Sequence, residues 1–166
     1  MSRPVLYLAV SLDVKEEGLF GGRYARRGFS TANTASLARL APLCERGIRP
    51  TLFCAHSVLA DSASRPALAH MRDRHGAEIG AHLHHWNTPP LTFEGPVADA
   101  ALADNASSVP ASDVPALLMA AKLESLMAVG REFQSAPLTS FRMGRWDLHK
   151  NLWPLLAQAG IRVDAS

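Results

Sequence analysis

Three histidines fall within four positions of the segment Glu78-Ile79-Gly80-Ala81-His82-Leu83-His84-His85-Trp86, directly after a short apolar run that reads as a β-strand. Neutral imidazole is a common ligand for catalytic zinc and similar ions, which take a few N or O donors and keep one position open for water. Such an ion also needs an acidic partner. Asp13, Glu16 and Glu17 follow the first apolar run of the chain, and Arg142 follows a later one, where it can pair with a carboxylate. On an extended or turning backbone His82 and His84 point the same way while His85 points opposite. His84 is therefore the preferred companion of His82, and His85 is left to line a groove.

The elements that must position these residues alternate between apolar runs and amphipathic segments. Pro4 to Leu12 is dense in apolar residues, as in a strand covered on both faces, and it ends at Asp13. After a glycine-rich loop, Thr31 or Asn33 can cap a helix that carries Leu37, Leu40 and Leu43 on one face. Thr51 to Ala55 is the next strand. A helix with Ala67, Leu68 and Met71 stops near Gly76, and Ala77 to Ala81 forms a third strand just before the histidines. From Asn87 to about Ser112 the Pro, Ser and Asp content marks a long connection over a site. Val114 to Phe133 reads as a long helix with Leu117, Leu118, Ala121, Leu126 and Val129 in the core. Leu138 to Phe141 is a fourth strand, Asn151 to Ala159 a helix ended by Gly160, and Ile161 to Asp164 the start of a fifth strand. Such units imply an α/β fold with a mostly parallel sheet, open or closed into a barrel. Sites in both gather at strand carboxyl ends, where Asp13, the histidines and Arg142 are expected.

Composition narrows the class. The chain has 166 residues, 48% hydrophobic and 19% charged, enough for a single globular domain with a sizeable core. A formal charge of +2 and scattered basic residues argue against a nucleic-acid surface. Cys44 and Cys54 read as core residues rather than a disulfide. Met1 is followed by an apolar run without the charged start and cleavage site of a signal peptide, and no run reaches transmembrane length, so a soluble cytoplasmic protein is expected.

With these residues in this order, the chain resembles the NodB-type polysaccharide deacetylases, metal-dependent carbohydrate esterases on a distorted (β/α) barrel. Ser11-Leu12-Asp13-Val14-Lys15-Glu16-Glu17 is similar to the family's first motif, which supplies a catalytic base, at Asp13, and an acidic metal ligand. Glu78-Ile79-Gly80-Ala81-His82-Leu83-His84 is similar to the second, which supplies two metal-binding histidines. Phe141-Arg142-Met143-Gly144-Arg145-Trp146 is similar to the third, whose arginine orients the base and whose glycine and aromatic shape the substrate groove. The matches span Pro4 to Ser166.

The resemblance implies a hydrolase that removes N-acetyl or O-acetyl groups from an acetylated saccharide. A divalent metal, zinc first and otherwise cobalt, nickel or iron, would sit on His82, His84 and an acid. Asp13 and Arg142 would be catalytic, and Trp86, Trp146 and His85 would contact sugar. The family's adjacent acid pair is absent, because Val14 follows Asp13 and Lys15 comes next. Glu16 is the acid taken as metal ligand; Glu17, or Asp13 itself, can fill the same role. Histidines spaced four apart are also absent, since position 86 is Trp86. The family's further strands, with a groove leucine and a histidine acid, are expected beyond Ser166, and His149 is the substitute acid within the chain. Two other readings stand beside the enzyme: a deacetylase-like protein that binds sugar without turnover, and a cyclic-amide hydrolase on the same scaffold. The oligomeric state is left open.

Overall fold

Strand alternation decides which residues of this chain can meet. A computed structural model describes residues 5–21, 24–91 and 110–166. Its strands are β1 (Ser11–Val14), β2 (Thr51–Ala55), β3 (Glu78–Leu83), β4 (Ser140–Met143) and β5 (Val163–Asp164), in that spatial order and all parallel. Helical segments lie between successive strands, among them α1 (Ala41–Cys44), α2 (His56–Ala60), α3 (Arg65–His75), α4 (Ala116–Phe133) and α5 (Trp153–Gln158). The expected α/β class is present, and among the described residues the sheet stays open. The long connection expected from Asn87 to Ser112 has residues 92–109 outside the described part.

One face of the sheet is core. Leu52, Cys54, Ile79, Ala81, Leu83, Phe141 and Met143 belong to a single buried cluster with Leu59, Leu68, Met71 and Leu126 from the helices. The residues between them in sequence, Phe53, Gly80, His82 and Arg142, fall on the other face. Register aligns Asp13 with Phe53, Phe53 with Gly80, and His82 with Arg142. Gly80 makes room on this second face, because a Cβ there would lie 2.5 Å from Ser140 Oγ and 2.8 Å from Phe53 Cδ1. Phe53 fills the space, and the Arg142 guanidinium lies 4.3 Å over its ring on the way to β1.

Several expected boundaries shift, each for a packing reason. β1 starts at Ser11 rather than Pro4, and Val5, Leu6, Tyr7 and Leu8 are exposed. Apolar composition makes a strand only where a neighbour takes its hydrogen bonds, and β1 meets β2 from Ser11 onward. Asp13, His82 and Arg142, expected just past strand ends, lie inside β1, β3 and β4. Helix α4 buries Met119, Leu123, Leu126, Met127 and Val129 against α2 and β3, while Leu117, 88% exposed, and Ala121 face outward. This helix is apolar nearly all round, so its periodicity does not choose a face, and buried Lys122 sits within the packed stripe. The Lys122 ammonium donates to the carbonyls of Thr88 and Pro90, at 2.8 and 2.7 Å. Neither residue expected to cap a helix does so with its side chain: Thr31 donates to Asp61 and Asn33 to the Lys15 carbonyl. Both cysteines are reduced, as expected, and burial pushes the Cys54 thiol up.

Candidate active site

Asp13 and Arg142 meet across the sheet face. Arg142 Nη1 donates to Asp13 Oδ1 at 2.9 Å, Nη2 to Ser11 Oγ at 2.9 Å, and Nε to the Ala165 carbonyl at 3.0 Å. The guanidinium therefore ties β1, β4 and the residues after β5 together and fixes one carboxylate oxygen. The other oxygen, Oδ2, lies 3.9 Å from His82 Nε2.

His82 is buried, and its Nδ1–H donates to the Arg142 carbonyl at 2.9 Å. That bond fixes the tautomer and leaves Nε2 as a lone pair, which is buried without a hydrogen-bond partner. Burial, then the neighbouring His84, push the His82 pKa well below the ordinary value, and the bond to the Arg142 carbonyl only partly opposes this. A neutral imidazole with one nitrogen held and the other bare is the state a metal-ligating histidine needs.

His84 stands beside it, ring centroids 4.5 Å apart, and stacks on Trp86 at 4.2 Å. Its Nδ1–H donates to Glu16 Oε1 at 2.8 Å, leaving Nε2 as its other nitrogen. Glu16 Oε1 also accepts from Asn87 Nδ2 at 2.7 Å, and Oε2 accepts from Ser57 Oγ at 2.9 Å. Burial alone would raise the Glu16 pKa; the charge and hydrogen bond of His84, with help from Ser57, instead hold the carboxyl below its usual range. Glu16 thus lies behind His84, with both oxygens taken. Gly144 is needed where the turn after β4 closes over this pair: a Cβ would lie 2.6 Å from His84 Cδ2 and 2.9 Å from the Leu83 carbonyl oxygen.

A cavity of about 520 Å³ opens above these groups, and Asp13, Lys15, Tyr24, His84, Arg145 and Trp146 are among its walls. Trp146 is 67% exposed at the mouth. Trp86 also reaches the cavity but is almost wholly buried, packed between His84 and Tyr24. His85 is buried edge-on against Trp86, away from the cavity wall. Among the described residues no group of three His, Cys, Asp or Glu side chains is arranged to hold a metal ion. The fit to a metal is therefore partial: the bare His82 nitrogen and the Asp13 oxygen converge, and a third donor is not in place beside them.

No protein-family model matches the chain, and no curated protein is similar enough to count as a match. Solved structures do match. A family 4 carbohydrate esterase from Streptomyces lividans, in complex with acetate, superposes with a TM-score of 0.59 at 15% identity, over 95% of this chain and 60% of that one. A protein from Mycobacterium smegmatis assigned as a polysaccharide deacetylase gives 0.60 at 15% identity, over 98% and 54%. The Xyl-CE4 domain of a multidomain xylanase from the hindgut metagenome of Trinervitermes trinervoides gives 0.53 at 12% identity, over 88% and 52%. The fold is that of the family 4 carbohydrate esterases. This chain spans less than two thirds of each of these neighbours.

On this carbohydrate esterase fold the structure brings Asp13, His82, His84 and Arg142 together and sets Trp146 at the rim. Glu16, His85 and Trp86 are placed behind or beneath. Reading the sequence missed Ser57 and Asn87. Both follow strand carboxyl ends, which is the available signal, but neither residue type announces a role. His149 caps a helical turn, its Nδ1 accepting from the Asn151 amide, and it is not part of the cavity wall.

Proposed function

We propose that this chain hydrolyses acetyl groups, N-linked or O-linked, from a saccharide, with Asp13 as its base. One observation carries the reading: Arg142 holds one oxygen of Asp13, and the other lies beside the bare Nε2 of a buried, neutral His82. The esterase fold supports it.

A divalent metal, zinc in first place, would be held by His82 and His84, and when bound it supplies a Lewis acid for the acetyl carbonyl and lowers the pKa of a water. The chain's own residues do the rest. Asp13 Oδ2 takes the water's proton while Arg142, at Oδ1, keeps the carboxylate turned toward it. That proton goes on to the departing sugar nitrogen or oxygen, so acetate leaves and an amine or hydroxyl is freed. We assign Glu16 to the orientation of His84 rather than to ligation, because its oxygens already accept from His84, Ser57 and Asn87. Trp146 offers its exposed ring to the face of a pyranose. Trp86 supports His84 by stacking on it, and His85 packs edge-on against Trp86. Among the described residues no helix is long and apolar enough to cross a membrane.

The test is acetate release from N-acetylchitooligosaccharides and an aryl acetate, with metal analysis of the same samples. Loss of release on chelation and in Asp13→Asn is expected. An Asp13→Asn protein that keeps its metal marks Asp13 as base; one that loses the metal makes Asp13 a ligand. A metal-loaded chain that releases no acetate from either substrate sinks the enzyme reading. It would favour the second reading, a sugar-binding protein without turnover, which the lack of a three-donor cluster among the described residues supports.

A further inference from the structure

Cleavage of an acetamide needs a proton at the departing nitrogen, and the cavity wall holds few groups able to give one. His149, the acid suggested by the sequence, is not part of that wall. The Nδ1–H of His84 is taken by Glu16. Guanidinium and indole N–H groups keep their protons, which removes Arg145, Trp86 and Trp146. Lys15 is already engaged within the chain. There remains the phenol of Tyr24, which lines the cavity together with Asp13 and His84.

Tyr24 is held on the site by its loop and by its ring. The loop after β1 is closed at its base, where the Glu17 amide donates to the Ser30 carbonyl at 2.8 Å. Beside Tyr24, the Ala25 carbonyl accepts from Asn87 Nδ2 at 3.4 Å, and the same nitrogen donates to Glu16 Oε1 at 2.7 Å. The loop is thus tied to the carboxylate that orients His84. The Tyr24 ring stands edge-on to Trp86, centroids 5.1 Å apart and planes at 88°, and Trp86 in turn stacks on His84. The Arg145 guanidinium lies 5.6 Å over the Tyr24 ring. Packing fixes the ring, while the hydroxyl is engaged by no group among the described residues.

We infer that Tyr24 is a second catalytic residue, the general acid that protonates the departing sugar atom. The inference rests on the deacetylase reading above and gives its proton a route. As water oxygen bonds to the acetyl carbon, Asp13 Oδ2 takes a water proton. The bond from that carbon to nitrogen then breaks, its electron pair stays on nitrogen, and the Tyr24 hydroxyl proton joins it there. The phenolate recovers the proton held by Asp13, so acetic acid and a free amine leave while both side chains return to their starting states. A phenol suits the step, because it stays protonated at neutral pH and yields its proton to a far more basic departing nitrogen.

Leaving-group dependence separates an acid from a merely structural residue. para-Nitrophenolate departs without a proton, whereas a sugar amine does not. Tyr24→Phe keeps the ring and its contacts with Trp86 and Arg145. Its kcat on N-acetylchitooligosaccharides should fall about 10²-fold, while kcat on para-nitrophenyl acetate stays within about twofold of the unmodified chain. KM, metal content and Tm should not move. An equal fall on both substrates, or none on the saccharide, overturns the inference, as does the selective loss appearing in Lys15→Gln instead. An unmodified chain that cleaves only the aryl acetate overturns it too and leaves the esterase reading standing. Release from neither substrate removes that reading and the inference with it.

Discussion

Asp13 and Glu16 lie three residues apart, one inside β1 and one just past its end, and they reach opposite settings. Asp13 is on the cavity side, 16% exposed, with one oxygen fixed by a permanent cation and the other facing His82. Glu16 is buried behind His84, and three hydrogen-bond donors converge on it, one from the segment after β2 and two from the segment after β3. The first carboxylate keeps one oxygen turned toward His82; both oxygens of the second accept hydrogen bonds, from His84 and Asn87 on one and Ser57 on the other. Acid identity is thus uninformative about role. What separates the two is their position on the chain: Asp13 is held within β1 beside Arg142, while the segment after β1 carries Glu16 to His84 and Asn87.

Neutralising each member should break the pair into two phenotypes. Asp13→Asn keeps size and the Arg142 contact but removes the proton acceptor, so acetate release should fall by about 10³-fold with little change in Tm. Crowding His84 without touching either acid comes next. Gly144→Ala sets a Cβ against His84 Cδ2 and the Leu83 carbonyl, and a displacement approaching 1 Å is worth about a hundredfold in rate. The same variant should lose about 2 kcal/mol of stability in denaturant titrations, the usual cost of overpacking. Glu16→Gln is smaller. It leaves an oxygen to accept from His84 but removes the charge, so metal affinity by competitive chelation should weaken about tenfold, the low end for an outer-shell partner. If instead Glu16→Gln abolishes metal binding and Asp13→Asn does not affect turnover, the two roles are exchanged.

Much of the fold is legible in the chain because strands buried on both faces read as dense apolar runs: β2 is read at its observed bounds, and β3 and β4 within a few residues. The gathering of the candidate residues is legible wherever residue type and backbone period suffice, as for His82, His84, Asp13 and Arg142, which meet at one end of the sheet. It is not legible where a contact spans the chain. Glu16 meets Ser57 41 residues away and Asn87 71 residues away, and no local pattern encodes such a pairing. Val5 to Leu8 shows the converse, an apolar run that reads as strand but has no partner along it among the described residues. Trp86 and Trp146 are equivalent by composition, and only packing makes one a buried support and the other an exposed rim.

A third carboxylate sharpens the contrast, because hydroxyls rather than histidine or arginine control it. Asp61 accepts from Ser64 Oγ and Thr31 Oγ1, both at 2.6 Å, and these bonds lower its pKa to about 2. A folded pKa below the unfolded value of 3.8 means that its stabilisation is present above pH 3.8 and is lost as pH falls toward 2. Ser64→Ala removes the largest contributor, so it should lower Tm at pH 6 by about 2 °C and leave Tm near pH 2 almost unchanged, flattening the acid limb. Release of acetate should be untouched, since none of these groups reaches the cavity above Asp13. An effect on turnover as large as that of Glu16→Gln would mean that position near β1 matters less than the general rigidity of this half of the sheet, and the distinction between Asp13 and Glu16 would lose its basis.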